Sequence, residues 1–309
     1  MTASTKHGTG IEWTHIPGYR GERWNPVTGC TKVSDGCTHC YAEGIAKRFW
    51  GDRDFTDVQC HDDRLEIPLH WPKPRAIFVN SMSDLFHEDV AFEFIDQVLA
   101  LAALCTQHIF MVLTKRPERM VEYFKDDTHK PLAETRGACV GREVGYILKE
   151  RGEWKQEWET VDPYWWSWPL PNLWLGVSIE DQQTADQRIP ELLKAPAAVR
   201  FVSYEPALGP VDFTHMDVEK AGHKEWCFIN ALTGDHTDMG RPCPPVPKLD
   251  WIICGGESGP GARPMDLQWA RDARDQCRDA NVPFFMKQID KKQPIPDDLM
   301  VRQFPEVMK

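Results

Sequence analysis

Six short segments of the chain follow one grammar, an apolar, β-rich run that closes in polar or glycine-rich residues. They are AIFVNSMSD (76–84), HIFMVLTKRPE (108–118), LWLGVSIED (173–181), VRFVSYEPA (199–207), DWIICGGESG (250–259) and VPFFMKQ (282–288). Continuous apolar runs of this length suit strands covered on both faces, as in a parallel sheet. Segments of helical spacing lie between them. Phe94, Ile95, Val98, Leu99 and Ala102 share one helix face over 91–106, and Leu267, Ala270, Ala273, Cys277 and Ala280 do so over 266–280. Ile189, Leu192 and Leu193 mark a shorter helix. Strands alternating with helices predict an α/β fold with parallel strands.

The polar closures matter as much as the apolar runs. They carry Asn80, Ser81 and Asp84; Thr114, Lys115 and Arg116; Ser178 and Glu180; Ser203 and Glu205; Glu257 and Ser258; Lys287 and Gln288. Parallel sheets and barrels build their sites at the carboxyl ends of strands, so these closures predict one shared site. Asp84 before FHEDV and Asp181 before QQTAD also suit the plainer role of helix caps. Lys115 and Arg116 either meet an anionic substrate or pair with the acidic strand ends.

Two stretches break the pattern. Residues 125–172 are charged and hold Trp154, Trp158, Trp165, Trp166 and Trp168. Residues 213–248 hold His215, His223, Cys227, His236 and Cys243 among prolines and glycines, at spacings that match no compact zinc pattern. Both read as rim insertions in a single domain spanning 1–309.

Composition narrows the class. At 309 residues, with 41% hydrophobic and 27% charged residues, the chain suits a globular protein with a full core. It has no run long enough for a membrane span, and MTASTKHGTGIEW lacks the apolar core of a signal peptide. A cytoplasmic location with no membrane partner is expected. In that compartment the ten cysteines are expected as thiols, and a tight group of them binds metal or does redox chemistry. The formal net charge of -11 opposes a sequence-independent grip on a nucleic-acid backbone. Lys47, Arg48 and Arg53, and then Lys115, Arg116 and Arg119, leave room for a local basic groove.

The tight group is GCTKVSDGCTHCYAE (29–43), with Cys30, Cys37 and Cys40. Structural zinc takes four ligands, and a disulfide framework wants an even count. Three thiolates on a [4Fe–4S] cluster leave one iron open for a cofactor, as S-adenosylmethionine binds through its amino and carboxylate groups. Gly29 and Gly36 suit a loop that curls around such a group. A Cys3His zinc site that recruits His39 is the alternative.

C-x6-C-x2-C followed by Tyr41 resembles the radical S-adenosylmethionine motif, C-x3-C-x2-C followed by an aromatic residue, with the first spacing widened. WNPVTGCTKVSDGCTHCYAE, IFVNSMSDLFHEDV, LTKRPERM, LGVSIEDQ, FVSYEPALGPVD and GGESGPGARPMD together resemble the phage-associated three-cysteine-motif family. That family is radical-enzyme-like and distantly similar to spore photoproduct lyase. The resemblance runs from residue 24 to about 290. It implies a partial (β/α)6-type barrel of parallel strands, with the cluster loop after the first strand.

Carried over, Cys30, Cys37 and Cys40 become the cluster ligands, and Tyr41 lies beside the adenine. Gly255, Gly256, Glu257 and Ser258 resemble the element that meets the methionine amino group. Because that element here follows a late strand, Asn80, Ser81 and Asp84 are the other candidates for the amino group. Ser178, Glu180, Ser203 and Glu205 are expected at the ribose hydroxyls or the carboxylate. Lys115 is a candidate catalytic residue, as is Cys254, a hydrogen-atom donor beside the glycine pair. The implied activity is reductive cleavage of S-adenosylmethionine to a 5′-deoxyadenosyl radical, acting on a nucleic-acid base or nucleotide in DNA modification or repair. It requires a reducing electron donor and leaves room for a partner protein. A peptide or small-metabolite substrate is one alternative, and a non-catalytic iron–sulfur or zinc protein is another.

Overall fold

All six apolar runs form strands, and a seventh strand precedes them. The computed structural model describes residues 8–125, 135–153, 169–218, 227–238, 240–259 and 261–307. The strands are β1 (Arg20–Trp24), β2 (Arg75–Val79), β3 (Ile109–Thr114), β4 (Leu173–Ile179), β5 (Val199–Tyr204), β6 (Trp251–Gly255) and β7 (Phe284–Gln288). They lie in one sheet in chain order, with every neighbouring pair parallel. The sheet curls into a half-barrel with helices on its outside. β1 escaped the sequence pattern because RGERW is an edge strand with little apolar content.

The helices are α1 (Tyr41–Phe49), α2 (Phe92–Leu104), α3 (Pro117–Phe124), α4 (Arg136–Glu150), α5 (Gln182–Lys194) and α6 (Leu267–Asp279). Asp181 caps α5, accepting from the Thr184 backbone N–H at 2.9 Å. Asp84 caps no helix; it closes a turn by accepting from the Phe86 N–H at 3.0 Å.

Alternation along the strands sorts the side chains into two layers. Ile77, Val79, Phe110, Val112, Leu175, Val177, Val202, Ile252 and Met286 face outward into the helices and form the main core. Ala76, Phe78, Ile109, Met111, Trp174, Phe201, Trp251, Ile253 and Phe285 face the concave side. There they pack with Trp13 and Ile16 from the N-terminal segment, with Phe304 partly buried against them. Trp13 lies 4.9 Å from Phe78 between ring centroids, and Trp251 lies 5.7 Å from Phe304. The lower half of the concave side is therefore filled with aromatic rings.

The two interruptions contribute to the same body. The first supplies α4, whose Val140, Val144 and Leu148 join the main core and whose Arg136 pairs with Asp96 of α2 at 3.0 Å. The second forms a four-stranded sheet whose Met216 and Ile229 also enter that core. Trp154, Trp158, Trp165, Trp166, Trp168 and His223 lie outside the described residues. No helix among the described residues is long and apolar enough to cross a membrane.

Candidate functional site at the carboxyl ends of the strands

The cysteine loop follows β1 and closes on its own base. Val27–Thr28 pairs antiparallel with Gln59–Cys60, which closes the excursion at its base. Gly29 takes φ 96°, and a Cβ there would strike the Asp57 carbonyl, so the tight exit demands glycine. The Cys30 N–H donates to Phe55 O at 2.9 Å, and the Cys37 N–H closes a turn on Ser34 O at 2.9 Å. Cys40 is the N-cap residue of α1.

Three polar ties seat this loop on the strand ends. The first comes from β2 and β3. Asp84 is buried and accepts from Thr114 Oγ1 (2.7 Å), the Lys115 N–H (3.0 Å) and Arg116 Nη1 (3.3 Å). Arg116 then reaches the loop, donating from Nη2 to Thr31 Oγ1 (2.7 Å) and Thr31 O (3.2 Å) and from Nη1 toward Cys30 Sγ (3.6 Å). The second tie comes from β4. Glu180, 1% exposed, accepts from Ser34 Oγ (3.0 Å), Lys115 Nζ and Arg188 Nη1 (3.0 Å). A Cβ on Gly36 would land on this carboxylate, so only glycine lets the loop pass so close to it.

The third tie comes from the segment after β6. Glu257 Oε2 lies 2.8 Å from His39 Nδ1 and accepts the Arg263 N–H at 2.8 Å. Oε1 accepts from Arg263 Nε at 3.0 Å and from Nη2, which also reaches Asp35 O at 3.0 Å. Burial opposes ionisation of Glu257, yet the Arg263 and His39 hydrogen bonds carry its carboxyl from 4.5 down to about 2. Burial, together with Asp84, pushes the Cys30 thiol up to about 11 against the pull of Arg116. Binding a metal through Cys30 must therefore release its proton.

Beneath the loop, the upper half of the concave side is polar. Ser178 and Ser203 sit side by side in register on β4 and β5, two positions above the aromatic layer. Glu205 and Lys287 continue the same face and pair at 2.6 Å, with Gln288 Nε2 donating to Glu205 at 3.2 Å. Gly255 lies against Glu205 with no side chain of its own. Tyr41 is 53% exposed, and its hydroxyl donates to Ser81 O within electrostatic range of Glu205 and of Arg23 on the open edge strand. Ser81 Oγ donates in turn to Asn25 Oδ1 at 3.2 Å.

The structure brings together most of the residues expected from sequence, but not all in the expected capacity. Lys115 and Arg116 pair with the acidic strand ends. Asp84, Glu180 and Glu257 hold the loop and its basic partners, since buried carboxylates need such compensation. Asn80 has φ 60°, and its Oδ1 accepts the Val27 N–H at 3.1 Å, so it braces the loop base. Ser258 is exposed, and Gly256 packs against the Asp290 backbone.

One expectation is corrected. Cys254 is 0% exposed and its side chain belongs to the outer, helix-facing core, because strand alternation turns it away from the concave side. It cannot donate a hydrogen atom there. Arg188, Arg263, Ser34 and Arg23 were missed, and His39, weighed as a zinc ligand, meets Glu257 instead. Arg188 had a signal, a charge on the same buried helix face as Ala185, Ile189 and Leu192. The others sit in loops or on the polar edge strand, where no period marks them.

Among the described residues no group of three His, Cys, Asp or Glu side chains is gathered so as to hold a metal ion. A cluster makes a different demand, because each thiolate binds its own iron and the ligands need not converge on one point. The donor set fits it. Three free, half-buried thiols share one loop, with a cation against Cys30 and Cys40 at the N-cap of α1. A cavity of about 1320 Å³ lies at the opposite, amino end of the sheet, lined by Tyr19, His108, Asn172, Trp174, Asp250 and Phe304 among others. That end carries none of the three thiols, and in sheets of this kind it serves stability.

No curated protein and no solved structure matches the chain. A family model described as a protein of unknown function, DUF5131, matches residues 8–301. The match covers the seven strands, the cysteine loop and all three ties, and the chain therefore belongs to the DUF5131 family.

Proposed function

We propose that the protein is a radical S-adenosylmethionine enzyme acting on a nucleic-acid base or nucleotide. Cys30, Cys37 and Cys40 would hold a [4Fe–4S] cluster, which would pass an electron from an external reductant to the cofactor's carbon–sulfur bond. The observation that carries this reading is the seating of a three-thiol loop over polar strand ends by ties from β2, β3, β4 and the segment after β6. A loop with no function at the strand ends would not need three sets of buried charges to hold it, each with a large desolvation cost.

The chain's own residues bind, orient and exclude water. Ser81, Ser178, Ser203 and Glu205 lie at these strand ends and offer hydroxyl and carboxylate groups to the ribose and amino acid portions of S-adenosylmethionine. The exposed ring of Tyr41 offers a face for adenine. The aromatic floor closes the concave side below and keeps water from the reacting atoms. Arg23, on the open edge strand, offers a cation to a phosphate-bearing substrate.

The test is anaerobic reconstitution of the full chain with iron and sulfide, followed by assay for 5′-deoxyadenosine with S-adenosylmethionine and dithionite. The expected result is 5′-deoxyadenosine from the natural chain and none from C30A, which also loses iron. Full iron in C30A removes the ligand assignment. A colourless protein that takes up zinc instead supports the non-catalytic reading.

A further inference from the structure

Arg116 stands where β3 hands over to α3, and its position is fixed before its side chain begins. Its backbone N–H donates to Thr114 Oγ1 at 2.9 Å, and Pro117 starts the helix immediately after it. From that root the guanidinium runs under the cysteine loop and is buried. Nε donates to Glu88 at 3.0 Å, Nη2 takes both oxygens of Thr31, and Nη1 is shared between Asp84 at 3.3 Å and Cys30 Sγ at 3.6 Å. Only a planar five-donor fork can serve four partners at once. Among the described residues, Cys30 is the one thiol of the loop with a cationic donor on its sulfur.

Resting on the cluster reading, we propose that Arg116 is a positioning residue that raises the reduction potential of a cluster held through Cys30. An N–H directed at a ligating sulfur stabilises the extra negative charge of the reduced state, one of the ways a protein sets cluster potential. Asp84 and Glu88 offset most of the guanidinium's charge, so the direction of the N–H matters more than the charge alone. Lysine, a compact ammonium without the fork, keeps the charge and loses much of that direction.

The experiment is a potentiometric titration of the reconstituted full chain followed by electron paramagnetic resonance, with iron and sulfide counted in each sample. R116Q and R116K are compared with the natural chain. Both variants are expected to keep iron while their midpoints move to more negative potential, further in R116Q than in R116K. An iron-replete R116Q with an unchanged or raised midpoint overturns the inference and leaves the cluster reading intact. Loss of iron from both variants also overturns it, because Arg116 would then only hold the loop together. A natural chain that takes up no iron overturns the cluster reading and this inference with it.

Discussion

Phe201 and Ser203 are two positions apart on β5 and face the same concave side, yet they belong to opposite chemistries. Phe201 lies in the lower layer with Trp13, Trp174, Trp251 and Phe285, where rings pack on rings. Ser203 begins the upper layer, where Ser178, Glu205 and Lys287 stand beneath a loop held by ion pairs. The lower layer is apolar and packs against Trp13, Ile16 and Phe304. The upper layer is polar, charged and capped by thiols. One set of strands thus supports an aromatic floor and a polar upper layer, separated by a single repeat of the pleat. Changes below should cost folding, and changes above should cost ligand and metal binding.

The largest expected effect comes from the floor. W251A should destabilise the fold by about 3–5 kcal/mol, the range for emptying a packed aromatic site, read by urea denaturation. A loss below 1 kcal/mol would mean that the two layers do not differ as described. Next is the buried carboxylate that follows β4. E180A leaves Lys115 and Arg188 uncompensated, and a cost of roughly 3 kcal/mol is expected. The same variant should lower iron uptake, because Glu180 also holds Ser34 of the loop.

G36A gives a smaller change in stability, about 1–2 kcal/mol from overpacking, but moves the loop off Glu180. Iron content per chain should fall more than the unfolding midpoint does. Equal and slight effects on both would separate the loop from its proposed seat. The last effect is a dependence on acid. The folded pKa of Glu257 is depressed, so its stabilisation is present above 4.5 and is lost as pH falls toward about 2. Denaturation midpoints of the natural chain and E257Q should therefore converge across that window. A gap that stays constant would show that the ion pair with Arg263 adds nothing to folding.

The floor was more legible in the sequence than the upper layer. Parallel strands covered on both faces leave continuous apolar runs, and all six such runs became strands. β1 left no run because only Gly21 and Trp24 of its five residues are buried. α4 was hidden in a charged stretch, where a single buried stripe of Val140, Val144 and Leu148 carries the helix. The polar strand ends were visible as residues, but their partners were not. Asp84 meets Arg116 and Glu180 meets Lys115 only once neighbouring strands pair, and Glu257 meets His39 only after the loop has folded over the strand ends. Cys254 was misplaced because its neighbours in sequence, the glycine pair, pointed to the site, whereas the pleat points its side chain to the helices.

The central claim is that the three thiols hold a cluster with an iron open to S-adenosylmethionine. The direct measurement is the electron paramagnetic resonance spectrum of the anaerobically reconstituted, dithionite-reduced protein, recorded with and without that cofactor. The account predicts a reduced-cluster signal whose shape changes when S-adenosylmethionine is added. A signal indifferent to the cofactor, or no cluster signal from the intact loop, would contradict it.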